Sequence, residues 1–88
     1  MEIEEVNKIY KDHNSEFLKT DSPNAFFEGL SLLNALSASG KECYAAEHDI
    51  FYANQLDDLP QITEDHIIKL NRLGWHFDEE AECFANFV

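Results

Sequence analysis

Three observations predict an α+β domain. Apolar residues recur at helical spacing over the first third of the chain, the period changes to two near Tyr44, and a short helix with full start and stop signals stands between the strand-like segments. The expected order is α-α-β-α-β-β: an N-terminal helical hairpin packed on a small three-stranded antiparallel sheet, the whole of residues 1–88 forming one domain.

The first helix is expected from Ile3 to Leu18, where Ile3, Val6, Tyr10, Phe17 and Leu18 fall near helical spacing and Glu2, Glu4 and Glu5 suit the positive end of the helix dipole. His13, Asn14 and Ser15 are three weak helix formers in a row and mark a break. A second helix is expected to start with Ser22 as N-cap and Pro23 in the first turn, and to end at Ser37 to Gly40. Phe26, Phe27, Leu30, Leu33 and Leu36 give it a wide apolar face. The short Thr20-Asp21 link predicts that the two helices lie antiparallel.

Residues 44–52 read as one strand, with Tyr44, Ala46, His48, Ile50 and Tyr52 on the buried side and Ala45, Glu47, Asp49 and Phe51 on the acidic side. A helix is the alternative for this stretch, since Ala45-Ala46-Glu47 also suits a helical start. A polar loop over 53–61 leads to the third helix. Thr63 is its cap, Glu64 and Asp65 fill its first turn, and Ile62 and Ile67 form a hydrophobic staple. Lys69 and Arg72 suit its negative end, Gly74 supplies a left-handed stop, and Trp75 folds back on Leu70. The chain ends in a hairpin: strand Trp75-His76-Phe77, turn 78–81, and a strand from Glu82 to Val88 that ties the C-terminus into the sheet. In that last strand Cys83, Ala85 and Phe87 share one face, and Glu82, Phe84 and Asn86 the other.

Charge is the extreme property. Eighteen acids stand against six bases, a net of −12, and the imbalance is lopsided: residues 42–88 hold eleven acids and only Lys69 and Arg72 as bases. Such a surface repels nucleic acid and anionic membrane and attracts basic surfaces. Direct nucleic-acid binding needs a basic footprint that six scattered bases do not make. The opening Met-Glu-Ile-Glu-Glu carries no apolar signal segment, and no apolar run reaches about 18 residues, so a cytoplasmic protein with reduced thiols is expected and no membrane contact.

Sites of chemistry are thinly indicated. Cys43, Glu47, His48, Asp49, His66, His76 and Cys83 include the common zinc-ligand types, but no Cys-x-x-Cys, His-x-x-x-His or His-Glu-x-x-His spacing joins them. Cys43 or Cys83 beside His48 or His76 would make a thiol–imidazole pair, yet nothing in the sequence brings them together. Gly29, Gly40 and Gly74 make no phosphate-cradling loop. Neither enzyme activity nor a metal or other cofactor is expected, and a core this thin spares little volume for a catalytic cleft.

The acidic surface remains. Glu47 and Asp49 on the first strand, with Asp78, Glu79, Glu80 and Glu82 on the last hairpin, are the expected partner-binding residues. Asp57, Asp58, Glu64 and Asp65 lie between them in sequence, and Phe51 and Phe84 are the aromatics expected within the same surface. The partner this layout fits is a protein with a basic groove, one that otherwise holds nucleic acid. Two alternatives stand beside it: the carboxylates form a solvated rim that serves solubility, or the chain is an assembly subunit that dimerises through its apolar second helix.

The tail Leu73-Gly74-Trp75-His76-Phe77-Asp78-Glu79-Glu80-Ala81-Glu82-Cys83-Phe84-Ala85-Asn86-Phe87-Val88, together with Ala46-Glu47-His48-Asp49-Ile50, resembles the small acidic accessory proteins encoded by phage. The resemblance covers roughly the last half of the chain. That group includes inhibitors of host defence of the anti-CRISPR and anti-restriction type, several of which imitate DNA. What the resemblance implies is a stoichiometric inhibitor of a nuclease or surveillance complex.

Overall fold

Ile3, Val6, Ile9 and Tyr10 fall on one side of a helix, and α1 (Ile3–Asp12) forms there in the computed structural model, which describes residues 1–40, 45–47 and 49–87. The helix stops well before Leu18. At His13 the backbone tightens into a 3₁₀ turn over Asn14–Glu16, where the run of weak helix formers lies. The second helix, α2 (Ala25–Leu36), starts after Asn24, two residues later than Ser22 and Pro23 suggest. The Ser22 hydroxyl instead accepts the Asn24 N–H at 3.3 Å and shapes the turn that leads into the helix.

The expected strand over 44–52 is a hairpin. β1 (Ala45–Glu47) pairs antiparallel with β2 (Ile50–Gln55), Glu47 opposite Ile50, and Asp49 sits in the short connection at φ +63°. Asp is one of the few residues that take this left-handed conformation readily, as a tight hairpin turn requires. The expectations for Tyr44 and His48 fall outside the described residues. Phe51 is a correction. It belongs to the core side, with its ring against Phe26 and Trp75 at centroid distances of 5.2 and 6.3 Å, instead of the acidic side.

After a 3₁₀ turn over Leu56–Asp58, α3 (Glu64–Arg72) forms with the signals read from its sequence. Thr63 Oγ1 accepts the His66 N–H at 3.4 Å, and His66 Nδ1 accepts the Thr63 N–H at 3.1 Å. Ile62 and Ile67 are both buried. At the other end the Trp75 N–H donates to the Leu70 carbonyl at 2.9 Å and the Gly74 N–H to the Asn71 carbonyl at 3.1 Å, a Schellman ending with Gly74 at φ +89°. β3 (His76–Asp78) and β4 (Cys83–Phe87) close the chain as a hairpin.

The α+β class and the succession of helices and strands are as predicted. Because the first strand folds on itself, the sheet has, among the described residues, four strands in the order β1-β2-β4-β3, all antiparallel. The main helix–helix contact is α1 on α3, while α2 meets the sheet at β2. The reason lies in the segment after α1, which is longer than the expected Thr20-Asp21 link and clasps the end of α3. Buried Asn71 donates from Nδ2 to the His13 carbonyl at 2.6 Å, its own carbonyl accepts the Leu18 N–H at 3.2 Å, and Arg72 Nε donates to the Lys19 carbonyl at 3.4 Å.

Trp75 sits fully buried where these elements converge. Its ring stacks on Phe26 of α2 at 5.3 Å and 28°, and its carbonyl accepts the Tyr10 hydroxyl of α1 at 2.8 Å. Gly29 makes the approach of α2 feasible: a methyl there would overlap the indole Nε1 and Cδ1 atoms. The loop after α2 is tied down separately. The Asp58 carboxylate accepts the Ser37 hydroxyl, the Ser39 N–H at 3.0 Å and Asn54 Nδ2 at 3.3 Å. These bonds, led by that from Ser37, hold its pKa down to about 2.

Two outcomes follow from this packing. Gly29→Ala should cost about 1–3 kcal/mol, read as a lowered melting temperature, because the ring and the helix cannot both keep their places; unchanged melting would show that the two do not touch. Asp58→Ala should be less stable than the parent at neutral pH. The folded pKa is depressed, so the carboxylate's contribution is complete above the ordinary value of 3.8 and disappears as pH falls towards about 2. Acid denaturation should therefore show the two curves converging over that window, and a gap that stays constant would contradict the network.

Candidate partner-binding surface

In an antiparallel sheet successive turns fall at alternate ends, and this divides the expected contact residues. Ile50 pairs with Phe87 at one end of β2 and Gln55 with Cys83 at the other. Glu47 and Asp49 lie at the first end. Asp78, Glu79, Glu80 and Glu82 lie at the second, roughly 17 Å away along the strand. The six residues thus form two groups, one at each end of the sheet, and not one cluster.

At the second end the residues differ in role. Asp78 Oδ1 accepts the Ala81 N–H at 3.0 Å, so its carboxylate builds the turn. Glu82, at φ +55°, offers its carbonyl to the Leu56 N–H at 2.9 Å, which docks the turn on the rest of the molecule. The side chains of Glu79, Glu80 and Glu82 are exposed. Two further carboxylates join them, because Glu2 and Asp57 line, with Glu82, Met1, Ile3 and Leu56, an open recess of about 250 Å³. Glu2 lies about as far from Glu82 in sequence as this chain allows, and no local pattern signals the meeting.

Between the two ends lies the second face of the sheet. The core takes Phe51, Ala53, Phe77 and Phe84 from the strands, and with them the three helices. Alternation puts Ile50, Tyr52, His76, Asp78, Cys83, Ala85 and Phe87 on the opposite side. Phe84 is fully buried, so the exposed aromatic of β4 is Phe87, 65% exposed, with the His76 ring stacked on it at 4.7 Å and 22°. Burial pulls the His76 pKa down, only partly opposed by Asp78, and its Nδ1 has no hydrogen-bond partner among the described residues. Burial, reinforced by Asp78, pushes the Cys83 thiol up to about 11. His76 and Cys83 do share a face, but a thiol held protonated is a poor nucleophile. Cys43 and His48 lie outside the described residues. Among the described residues no three His, Cys, Asp or Glu side chains are grouped to hold a metal ion, and no helix is long and apolar enough to cross a membrane.

Positive charge collects elsewhere. Lys19, Lys69 and Arg72, half of the six bases, line a cleft of about 450 Å³ beside α3 together with Asp21, Glu28 and Asp65. Lys69 Nζ lies 3.5 Å from Glu28. Bases and acids are equal in number there, so the acid excess is borne by the rest of the surface, including both ends of the sheet. Comparison of the chain with protein-family models, with curated proteins and with solved structures found no match to any of them.

Proposed function

We propose that this chain is a non-catalytic inhibitor or adaptor that docks on a basic surface of a protein partner, one built to hold nucleic acid. The observation that carries this reading is the distribution of charge. A net of −12 is concentrated in the second half of the chain, and half of the bases are withdrawn into one near-neutral cleft. The exposed carboxylates of Glu79, Glu80 and Glu82, extended by Glu2 and Asp57, would stand in for phosphates against lysine and arginine side chains. The narrower form of the reading, a phage-encoded inhibitor of a nuclease or surveillance complex in the host cytoplasm, rests on the resemblance of the tail. A second reading, assembly through α2, is favoured by Phe27, which is 65% exposed on that helix.

The test is capture of partners from a cell extract on the immobilised domain, eluted along a salt gradient, beside the double variant Glu79→Lys, Glu80→Lys. These two side chains are exposed, and the variant leaves the turn-forming Asp78 in place. A nucleic-acid-handling protein should leave the parent as salt rises, its affinity falling at least about tenfold between roughly 50 and 200 mM, and should not bind the variant. A partner held equally by both, or a salt-insensitive dimer with no partner, would overturn the acidic-docking reading and favour assembly.

A further inference from the structure

We infer that the mixed-charge cleft beside α3 is a binding site for a short peptide with free ends, its carboxylate held by Lys19 and Arg72 and its ammonium by Asp65. The cleft encloses about 450 Å³. Asp65, Ile68, Lys69 and Arg72 line it at positions i, i+3, i+4 and i+7, so they form one stripe along α3. The stripe is ordered by charge: the acid stands at its amino end and the arginine at its carboxyl end. Lys19 joins the arginine, because its carbonyl accepts Arg72 Nε at 3.4 Å. Midway, Lys69 and Glu28 of α2 answer each other at 3.5 Å. The charges at the two ends are not answered in this way. Among the described residues neither Lys19 nor Arg72 has a carboxylate in salt-bridge range, and Asp65 has no base. Glu16, an acid that feels both cations, is bonded to His13 Nδ1 at 2.6 Å.

The wall that carries Lys19 is fixed in advance. The Leu18 N–H donates to the Asn71 carbonyl at 3.2 Å, and Leu18 is held at φ +62°, a left-handed conformation that is costly for a leucine and is found where the surroundings impose it. A preformed wall spares a ligand the entropy of ordering it. The charges then select the ligand. Cleft bases and acids are equal in number, so a multiply charged anion such as phosphate would meet Asp21, Glu28 and Asp65 as well as the cations. A molecule with one charge of each sign at its ends suits both ends of the stripe. Asp65 and Arg72 are seven residues apart, roughly 10 Å along the helix axis. A single α-amino acid is too short for that span, whereas two or three extended residues reach roughly 7–10 Å. Ile68 and Leu73 give small apolar side chains of such a peptide a surface to rest on.

The test is a resonance titration of the isotope-labelled protein with trialanine, with its N-acetylated and C-amidated forms, and with inorganic phosphate. Free trialanine should shift Thr20, Ile68, Lys69 and Arg72, and blocking either end should weaken it about tenfold. Arg72→Gln should remove the preference for the free carboxylate, and Asp65→Asn the preference for the free ammonium; both side chains are exposed. Three results would overturn the site: blocked and free peptides binding alike, phosphate binding as tightly as trialanine, or no shift at these residues up to about 10 mM peptide. The parent protein alone decides between these outcomes even if a variant does not fold. Glu79 and Glu80 lie outside this cleft, so the docking reading above is tested separately.

Discussion

The contact between the Trp75 ring and the bare backbone of α2 at Gly29 is the constraint on which the rest of this structure depends. A chain of 88 residues buries only about 60% of the surface of its unfolded form, so it builds one thin core. Here that core is organised by a single tryptophan placed at the junction of a helix stop and a strand start. Its N–H ends α3, its carbonyl holds Tyr10 of α1, and its ring takes Phe26 of α2 and Phe51 of β2. Burial raises the Tyr10 hydroxyl pKa far above its usual range, so the phenol stays protonated and remains a donor. Each aromatic pair adds about 0.5–1.5 kcal/mol to the area that the rings bury.

Drawing the helices to that ring has a consequence on the other side of the sheet. A four-stranded sheet has two faces, and the three helices pack on one of them. Cys83 and Ala85 on the second face are buried, although they stand outside the helix-bearing cluster, while larger side chains such as Phe87 remain open. The edge strand β3 is three residues long, a short edge of the kind that does not template further pairing. Antiparallel connection then places acidic turns at both ends of that face.

Much of the fold was legible in the sequence wherever local chemistry decides it. The third helix carries its cap at Thr63, its staple at Ile62 and Ile67, and its stop at Gly74, and each interaction lies within a few residues of its partner. The last hairpin was equally plain. The stretch over 44–52 was not, because period-two alternation does not announce a reversal of direction, and the turn has no Asn-Gly or Gly-Gly to mark it. Only the tolerance of Asp49 for positive φ hints at it, and Phe51 was assigned to the wrong face as a result. The clasp of residues 13–19 on Asn71 and Arg72 was also hidden, since such contacts join segments far apart in the chain. The candidate surface was half legible. The acidic residues were evident from composition, but their division between two ends of the sheet, the addition of Glu2 and Asp57, and the exchange of Phe84 for Phe87 as the exposed aromatic follow from topology alone.

Trp75 is the only tryptophan in the chain, so its fluorescence tests this arrangement directly. The native protein should emit at short wavelength, resist quenching by acrylamide, and shift to the wavelength of a solvated indole in one cooperative transition together with the loss of helical circular dichroism. A native spectrum already typical of a solvated indole, quenched as readily as free tryptophan, would contradict a fold built around that ring.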